Sequence, residues 1–203
     1  MQAYTKQIEQ KIKTFNRGKV FIAEDFLDTV SYETIRRTLN RFVEEEKIRR
    51  IMPGFYYKPK YSELIEEYEA PSINELATAI GRKYNWYIAP SQNAALNMFS
   101  LSTQVPTKYE YVSSGKTIKY KIGDIEILFK KVKQGEISNM SFKTASVIQA
   151  IKGLGKDKIN KEDMKIISSK LTPNERENLL KEAKYARVWI YDTIKQIVEV
   201  ANE

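Results

Sequence analysis

Ser31-Tyr-Glu-Thr-Ile-Arg-Arg-Thr-Leu-Asn-Arg-Phe-Val-Glu-Glu-Glu-Lys-Ile-Arg-Arg-Ile-Met-Pro-Gly-Phe-Tyr-Tyr-Lys-Pro59 is the stretch on which the reading of the fold turns. Ile35, Leu39, Phe42 and Val43 recur at helical spacing, which predicts a helix from Tyr32 to about Glu45 with one apolar face. Ser31 stands at its N-cap position, with Thr34 rather than Glu three residues on, so the full capping box is missing. Glu33, Arg37, Asn40, Arg41 and Glu44 fall on the opposite face, with Thr34 and Arg36 on its flanks. Two strand-like runs, Lys47–Met52 and Phe55–Pro59, then flank Pro53-Gly54 and predict a hairpin. Phe55, Tyr56 and Tyr57 alternate along its second strand, so at least one of these rings is expected in the core.

Working outward, Gln2–Phe15 carries Tyr4, Ile8, Ile12 and Phe15 at helical spacing and stops at Gly18. Lys19–Ile22 is short and apolar, and Ala23–Leu27 reads as a brief helix. Helix, strand, helix, turn, helix, hairpin is the order of a winged helix-turn-helix, in which the third helix enters the major groove and the hairpin lies on the backbone or minor groove.

The charge supports that reading. The chain has 203 residues, 34 Lys and Arg, 26 Asp and Glu, and a formal net charge of +8. Residues 1–60 hold 13 Lys and Arg against 8 Asp and Glu, a net of +5, and six of the nine arginines lie in the first fifty. Guanidinium forks suit phosphates and guanine edges, whereas lysine acts as a point charge. The expected DNA-binding residues are Ser31, Thr34, Arg36, Arg37, Asn40 and Arg41 on the helix, with Arg49, Arg50, Lys58 and Lys60 on or beside the wing. Against this stands a plainer account, in which Arg36, Arg37 and Arg41 only pair with Glu33, Glu44 and Glu45 along a solvated helix. Glu44-Glu45-Glu46 keeps the helix's C-terminal end away from phosphate.

The rest of the chain is expected to be a larger mixed domain over 61–203, with a linker at about 60–71. Tyr61–Glu69 is acidic and reads as a linking helix, and Ser72 as the cap of a helix over Ile73–Tyr84. Trp86–Ala89 reads as a strand, Ala94–Phe99 as a short helix and Thr103–Pro106 as a loop. Lys108–Ser113, Lys116–Ile122 and Ile125–Val132 read as strands, joined by hairpin turns at Ser114-Gly115 and Gly123-Asp124, with lysines on their outer faces. Helices follow from Ser141, with Asn160 as one cap and Thr172-Pro-Asn-Glu175 as a full capping box. The last helix is expected to bury Val188, Tyr191, Ile194, Ile197 and Val198. The fold class is therefore α+β, a winged helix-turn-helix followed by a mixed domain with a small antiparallel sheet and a C-terminal helical bundle.

Much enzyme chemistry is excluded by composition. The chain has no cysteine and no histidine, so thiolate chemistry, disulfides, the commonest general base and the usual zinc ligands are absent. Gly153-Leu-Gly155-Lys156 lacks the spacing and the Ser or Thr of a phosphate-binding loop. Asp124 and Glu126 share one strand face and could hold a magnesium ion for nucleotidyl transfer, but no third acid stands at a recognisable spacing. No catalytic residue, metal or cofactor is expected. Neither a leader nor a membrane segment is read, and the expected location is the cytoplasm.

Two stretches carry a resemblance. Lys47–Pro59, with its basic pair, glycine and aromatics, and Trp86–Pro106, with a strand, a Ser, an Ala-Leu helix and a Pro-ended loop, resemble the AbiEi-type antitoxin family of bacterial abortive-infection (type IV) toxin–antitoxin systems. The chain departs from that family at Phe99-Ser100, where glycine is usual, which marks a sister branch. The resemblance implies a repressor of its own operon that binds double-stranded operator DNA at repeated sites. It further implies a second domain that neutralises a nucleotidyltransferase-like toxin without a stable complex. The alternative is a winged-helix regulator unrelated to toxins, whose larger domain senses a ligand or partner; a metal-dependent nucleotidyltransferase using Asp124 and Glu126 is less favoured.

Overall fold

The computed structural model describes residues 3–64, 66–104, 108–133 and 136–200. The chain is mixed α+β and divides into two compact units, Met1–Tyr84 and Asn85–Glu203.

In the first unit, α1 (Ala3–Thr14) is followed by β1 (Val20–Phe21), a 3-10 turn at Ala23–Phe26 and α2 (Tyr32–Glu44). The hairpin β2 (Arg49–Met52) and β3 (Phe55–Tyr57) comes next, its turn carried by Gly54 at φ +82. These strands form an antiparallel sheet in the order β1-β3-β2, with an irregularity between Arg50 and Met52. Ile8, Phe21, Phe26, Ile35, Leu39 and Phe42 meet in one core, each at most 1% exposed. Phe55, Tyr56 and Tyr57 are all buried, so the whole of β3 lies under cover rather than one face of it.

The acidic stretch after the hairpin forms strands, not the expected linking helix. β4 (Lys60–Ser62) and β5 (Glu67–Glu69) pair antiparallel, and Tyr61 sits opposite Tyr68 with their rings edge to face at 5.3 Å. A cross-strand aromatic pair and a turn with Glu66 at φ +52 outweigh the helix preference of the surrounding glutamates. Helix α3 (Ile73–Tyr84), capped by Ser72 Oγ accepting from the Glu75 amide, buries Leu76, Ala77 and Ile80 and packs on β1. Arg82 anchors it, donating to the Val20 carbonyl at 3.0 Å and to Asp25 at 3.0 Å. The divide between the units therefore lies after Tyr84, downstream of residue 60.

The second unit opens with β6 (Ile88–Pro90) and α4 (Gln92–Met98), then β7 (Tyr109–Ser113), β8 (Ile118–Ile122) and β9 (Ile125–Lys131). The expected loop at Thr103–Pro106 lies partly outside the described residues, at Val105 and Pro106. The sheet order is β6-β7-β9-β8. β8 and β9 form the hairpin expected at Gly123-Asp124, but β7 and β8 do not pair: β7 runs parallel to β9, so this sheet is mixed rather than antiparallel throughout. Gly115 serves a different purpose. A Cβ there would stand 2.2 Å from the Trp86 indole, so only glycine lets the chain pass over that ring.

Helices α5 (Phe142–Leu154), α6 (Lys161–Ser169), α7 (Pro173–Glu182) and α8 (Val188–Glu199) close the unit. Ser141, Asn160 and Thr172 each cap a helix through the side chain, and the last two complete capping boxes with Asp163 and Glu175. Val147, Ile151, Ile167, Leu179, Ile190, Ile194 and Ile197 fill their shared core. Val188, expected inside, is 77% exposed: it opens the first turn of α8, and Ile190 takes the inward position. Among the described residues no helix is long and apolar enough to cross a membrane.

Candidate nucleic-acid interface

The orientation of α2 follows from its core side. Ile35, Leu39 and Phe42 are buried, and this turns Glu33, Arg36, Arg37 and Glu44 outward. Arg37 is the most open of its side chains named here, 80% exposed, with its Nε 3.1 Å from Glu33 Oε1. Arg36 reaches the other oxygen of Glu33 at 3.7 Å and leans over the Tyr32 ring at 5.9 Å. Two guanidiniums thus share one carboxylate, leaving a net positive charge on the helix's first two turns. Exposed pairs of this kind contribute a few tenths of a kcal/mol, so they yield readily to a better anion.

Asn40 is half-buried and held from the hairpin side. Its Oδ1 accepts from Arg50 Nη2 at 3.0 Å and from the Tyr56 hydroxyl at 3.3 Å. Burial pushes the Tyr56 pKa up, against the opposing pull of Arg50 and Arg36, so this hydroxyl stays protonated and donates. With both donors on the oxygen, the amide orientation of Asn40 is set, and its NH₂ has no partner among the described residues. Arg36, Arg37, Asn40 and Arg50 therefore form one array, joined through Glu33 on the helix and by the Asn40–Arg50 bond to the hairpin. Arg49, on the same strand as Arg50, stacks over Tyr68 at 4.1 Å. At the head of α2, Ser31 Oγ and Thr34 Oγ1 lie 3.0 Å apart; Ser31 occupies the N-cap position without a side-chain bond to the backbone.

Three expected residues are engaged elsewhere. Arg41 lies on the flank toward α1, where its Nη2 donates to Thr5 Oγ1 at 3.0 Å and its Nε stands 3.6 Å from Glu45. It ties two helices together and does not continue the row of Arg37. Lys58 donates to the carbonyls of Lys13 and Phe15 at 2.9 and 3.0 Å, closing the C-terminal end of α1. Lys60 is bound to both oxygens of Glu69 across the β4–β5 pair. At the far end of α2, a hydrogen bond from Lys47 holds the Glu45 carboxyl below its usual range.

Tyr56 and Tyr68 were not among the residues expected at the site. Tyr56 reads from sequence only as part of an aromatic run, and Tyr68 lies in a segment read as a helix; no local signal ties either to an arginine. In the second unit, Glu126 pairs with Lys119 at 3.0 Å across β8–β9. Among the described residues no three His, Cys, Asp or Glu side chains gather as metal ligands.

The chain belongs to a family of unknown function (DUF6088), whose model matches residues 7–179. No curated protein matches it.

Proposed function

We propose that the first unit is a winged helix that binds double-stranded operator DNA through the outer face of α2 and the β2–β3 hairpin. What supports the winged-helix reading is the order of elements from α1 to β3 and the β1-β3-β2 sheet. The observation that carries DNA binding is the array of Arg36, Arg37, Asn40 and Arg50 on one exposed face, held by weak surface pairs. In a major groove, the two arginines and the free NH₂ of Asn40 would offer donors to guanine, thymine and phosphate oxygens.

The protein on this reading represses its own operon at repeated sites and acts, in the cytoplasm, as the antitoxin of a nucleotidyltransferase-like toxin without holding it in a stable complex. The resemblance at Lys47–Pro59 and at Trp86–Pro106 supports that second step. Its role is binding rather than catalysis.

A mobility-shift titration of the upstream promoter tests the first step. Affinity should fall on the log–log salt plot by ~0.9 per phosphate neutralised, and Arg36→Ala/Arg37→Ala/Arg50→Ala should flatten that slope. Unchanged binding by the triple variant would remove the proposed interface. Co-expression with the neighbouring reading frame tests the second: rescue of growth supports the antitoxin role, and growth arrest regardless of the chain removes it.

A further inference from the structure

In the second unit, cations converge on a single acid. Two cavities of about 280 and 310 Å³ share Glu136, Lys152 and Arg187, and Lys133 and Lys156 each line one of them. Lys152 is largely buried and donates to Glu136 Oε2 at 2.9 Å, so that pair cancels. Lys133, Lys156 and Arg187 form no ion pair within 4 Å among the described residues, and Arg187 and Lys133 share the charge of Glu136 with Lys152. Four cations around one acid leave the recess with a net positive charge, and an anion held among them relieves their repulsion.

The walls say what else the anion carries. The first cavity has Ile148 and Ile190 as a floor, both 1% exposed, and Tyr185 at its side with 88% of its surface open. Lys184 Nζ stands 5.8 Å from the centroid of that ring, which beside the apolar floor is otherwise open to stacking a planar group. The second cavity has a mixed lining, with Gln92, Lys156 and Trp189 around Gly155. Gly155 stands at φ +89 with nothing within 4 Å of where a Cβ would be, so its backbone is open to approach. Between the two, Arg187 offers a fork that suits phosphate oxygens, and Glu136 offers acceptors for hydroxyl or amino groups. The bond from Lys152, with Arg187 and Lys133 nearby, holds the Glu136 carboxyl ionised.

We propose that this double cavity is a nucleotide site, with the base against Tyr185 over Ile148 and Ile190, and the phosphates drawn to Arg187 and Lys156. Each cavity alone is at the small end of ligand pockets, and the two share Glu136, Lys152 and Arg187, so together they offer an apolar floor and a group of cations to one nucleoside polyphosphate. Gly155 and Lys156 thereby gain a role outside any phosphate-binding loop motif.

Isothermal titration of the full chain without DNA, at about 0.15 M salt, decides the matter with four probes: ATP, adenosine, tripolyphosphate and a single-stranded oligonucleotide. The expected result is saturable one-to-one binding of ATP, with adenosine and tripolyphosphate each weaker by about tenfold or more. Arg187→Ala and Tyr185→Ala should each cost ATP about tenfold while leaving the thermal melt in place, since both side chains are exposed. No heat with ATP up to about 1 mM, or wild-type affinity in Arg187→Ala, overturns the site. Equal binding of tripolyphosphate and ATP overturns the base pocket and leaves an anion patch only. An oligonucleotide that binds tighter than ATP and depends on the same residues overturns the mononucleotide in favour of a strand. None of these outcomes depends on whether the first unit binds an operator.

Discussion

Arg37 and Arg41 stand one helical turn apart and are predicted to fail in opposite ways when changed to alanine. Arg37 is 80% exposed and its ion pair with Glu33 is an i,i+4 surface pair. Losing it should cost about 0.3–0.5 kcal/mol of stability, within the error of most melts. If the same guanidinium meets a base edge, its loss should weaken operator binding by ~1–3 kcal/mol, or roughly five- to 150-fold. Arg41 inverts the balance. Its Nη2 is bonded to the hydroxyl of Thr5, which is 4% exposed and has no other partner among the described residues. Alanine at 41 leaves that hydroxyl unsatisfied, which costs about 1–3 kcal/mol for a buried group; partial exposure of Arg41 places the effect near the lower end, about 1 kcal/mol. Urea denaturation followed by circular dichroism measures the stability of both variants, and promoter shifts well below their midpoints measure binding. Arg41→Ala that stays fully stable yet loses the operator, or Arg37→Ala that binds as wild type, would refute the assignment.

Other predictions are as direct. Lys58→Ala should destabilise the first unit by about 1 kcal/mol, because it uncovers the last carbonyls of α1, and should leave operator affinity unchanged. Gly115→Ala drives a methyl into the Trp86 ring and should cost about 1–3 kcal/mol, readable as a lower urea midpoint with tryptophan emission shifted to the red. The Glu175 carboxyl is held below its ordinary pKa, first by the backbone N–H of Thr172 and then by the Thr172 side chain and Lys143. Its contribution is therefore complete above the unfolded Glu value of about 4.3 and is lost as pH falls through the lower folded value. Glu175→Gln should lower stability at neutral pH and flatten the acid limb of a stability–pH curve in that window, the two curves converging below it.

The parts of the molecule that were legible in the sequence are those decided within a few residues. Thr172-Pro-Asn-Glu175 and Asn160–Asp163 each hold both halves of a capping box inside one turn of chain, and both boxes form. The periodicity of Ile35, Leu39 and Phe42 likewise sets which way α2 faces. What was illegible depends on distant partners. Ser114-Gly115 looks like a hairpin turn, yet the choice between β8 and β9 as the neighbour of β7 is made across the sheet, where no local signal reaches. Arg41 sits at the edge of the outward face, and Thr5, 36 residues earlier, decides which way it turns. Glutamates made Tyr61–Glu69 look helical, but the partner that stabilises Tyr61 is Tyr68 on the return strand. The outward array was foreseen as a set of residue types; its connection through Asn40, Arg50 and Tyr56 was not.

The parallel pairing of β7 with β9 also sets an order of events during synthesis. β6 can pair with β7 as soon as Ser113 has left the ribosome, but the other edge of β7 waits for a strand that ends at Lys131. That strand comes with its own local partner, since β8 and β9 close on the Gly123-Asp124 turn. Two hairpin-like pieces are thus made one after the other, and the sheet is completed when they zip together along the β7–β9 seam. Until then the nascent chain carries an open edge with Tyr109 and Tyr111 along it, the kind of surface on which a second chain can nucleate a wrong sheet. Slowing elongation between the emergence of Ser113 and that of Lys131 from the ribosome prolongs that exposure, whereas slowing it once Lys131 has emerged does not.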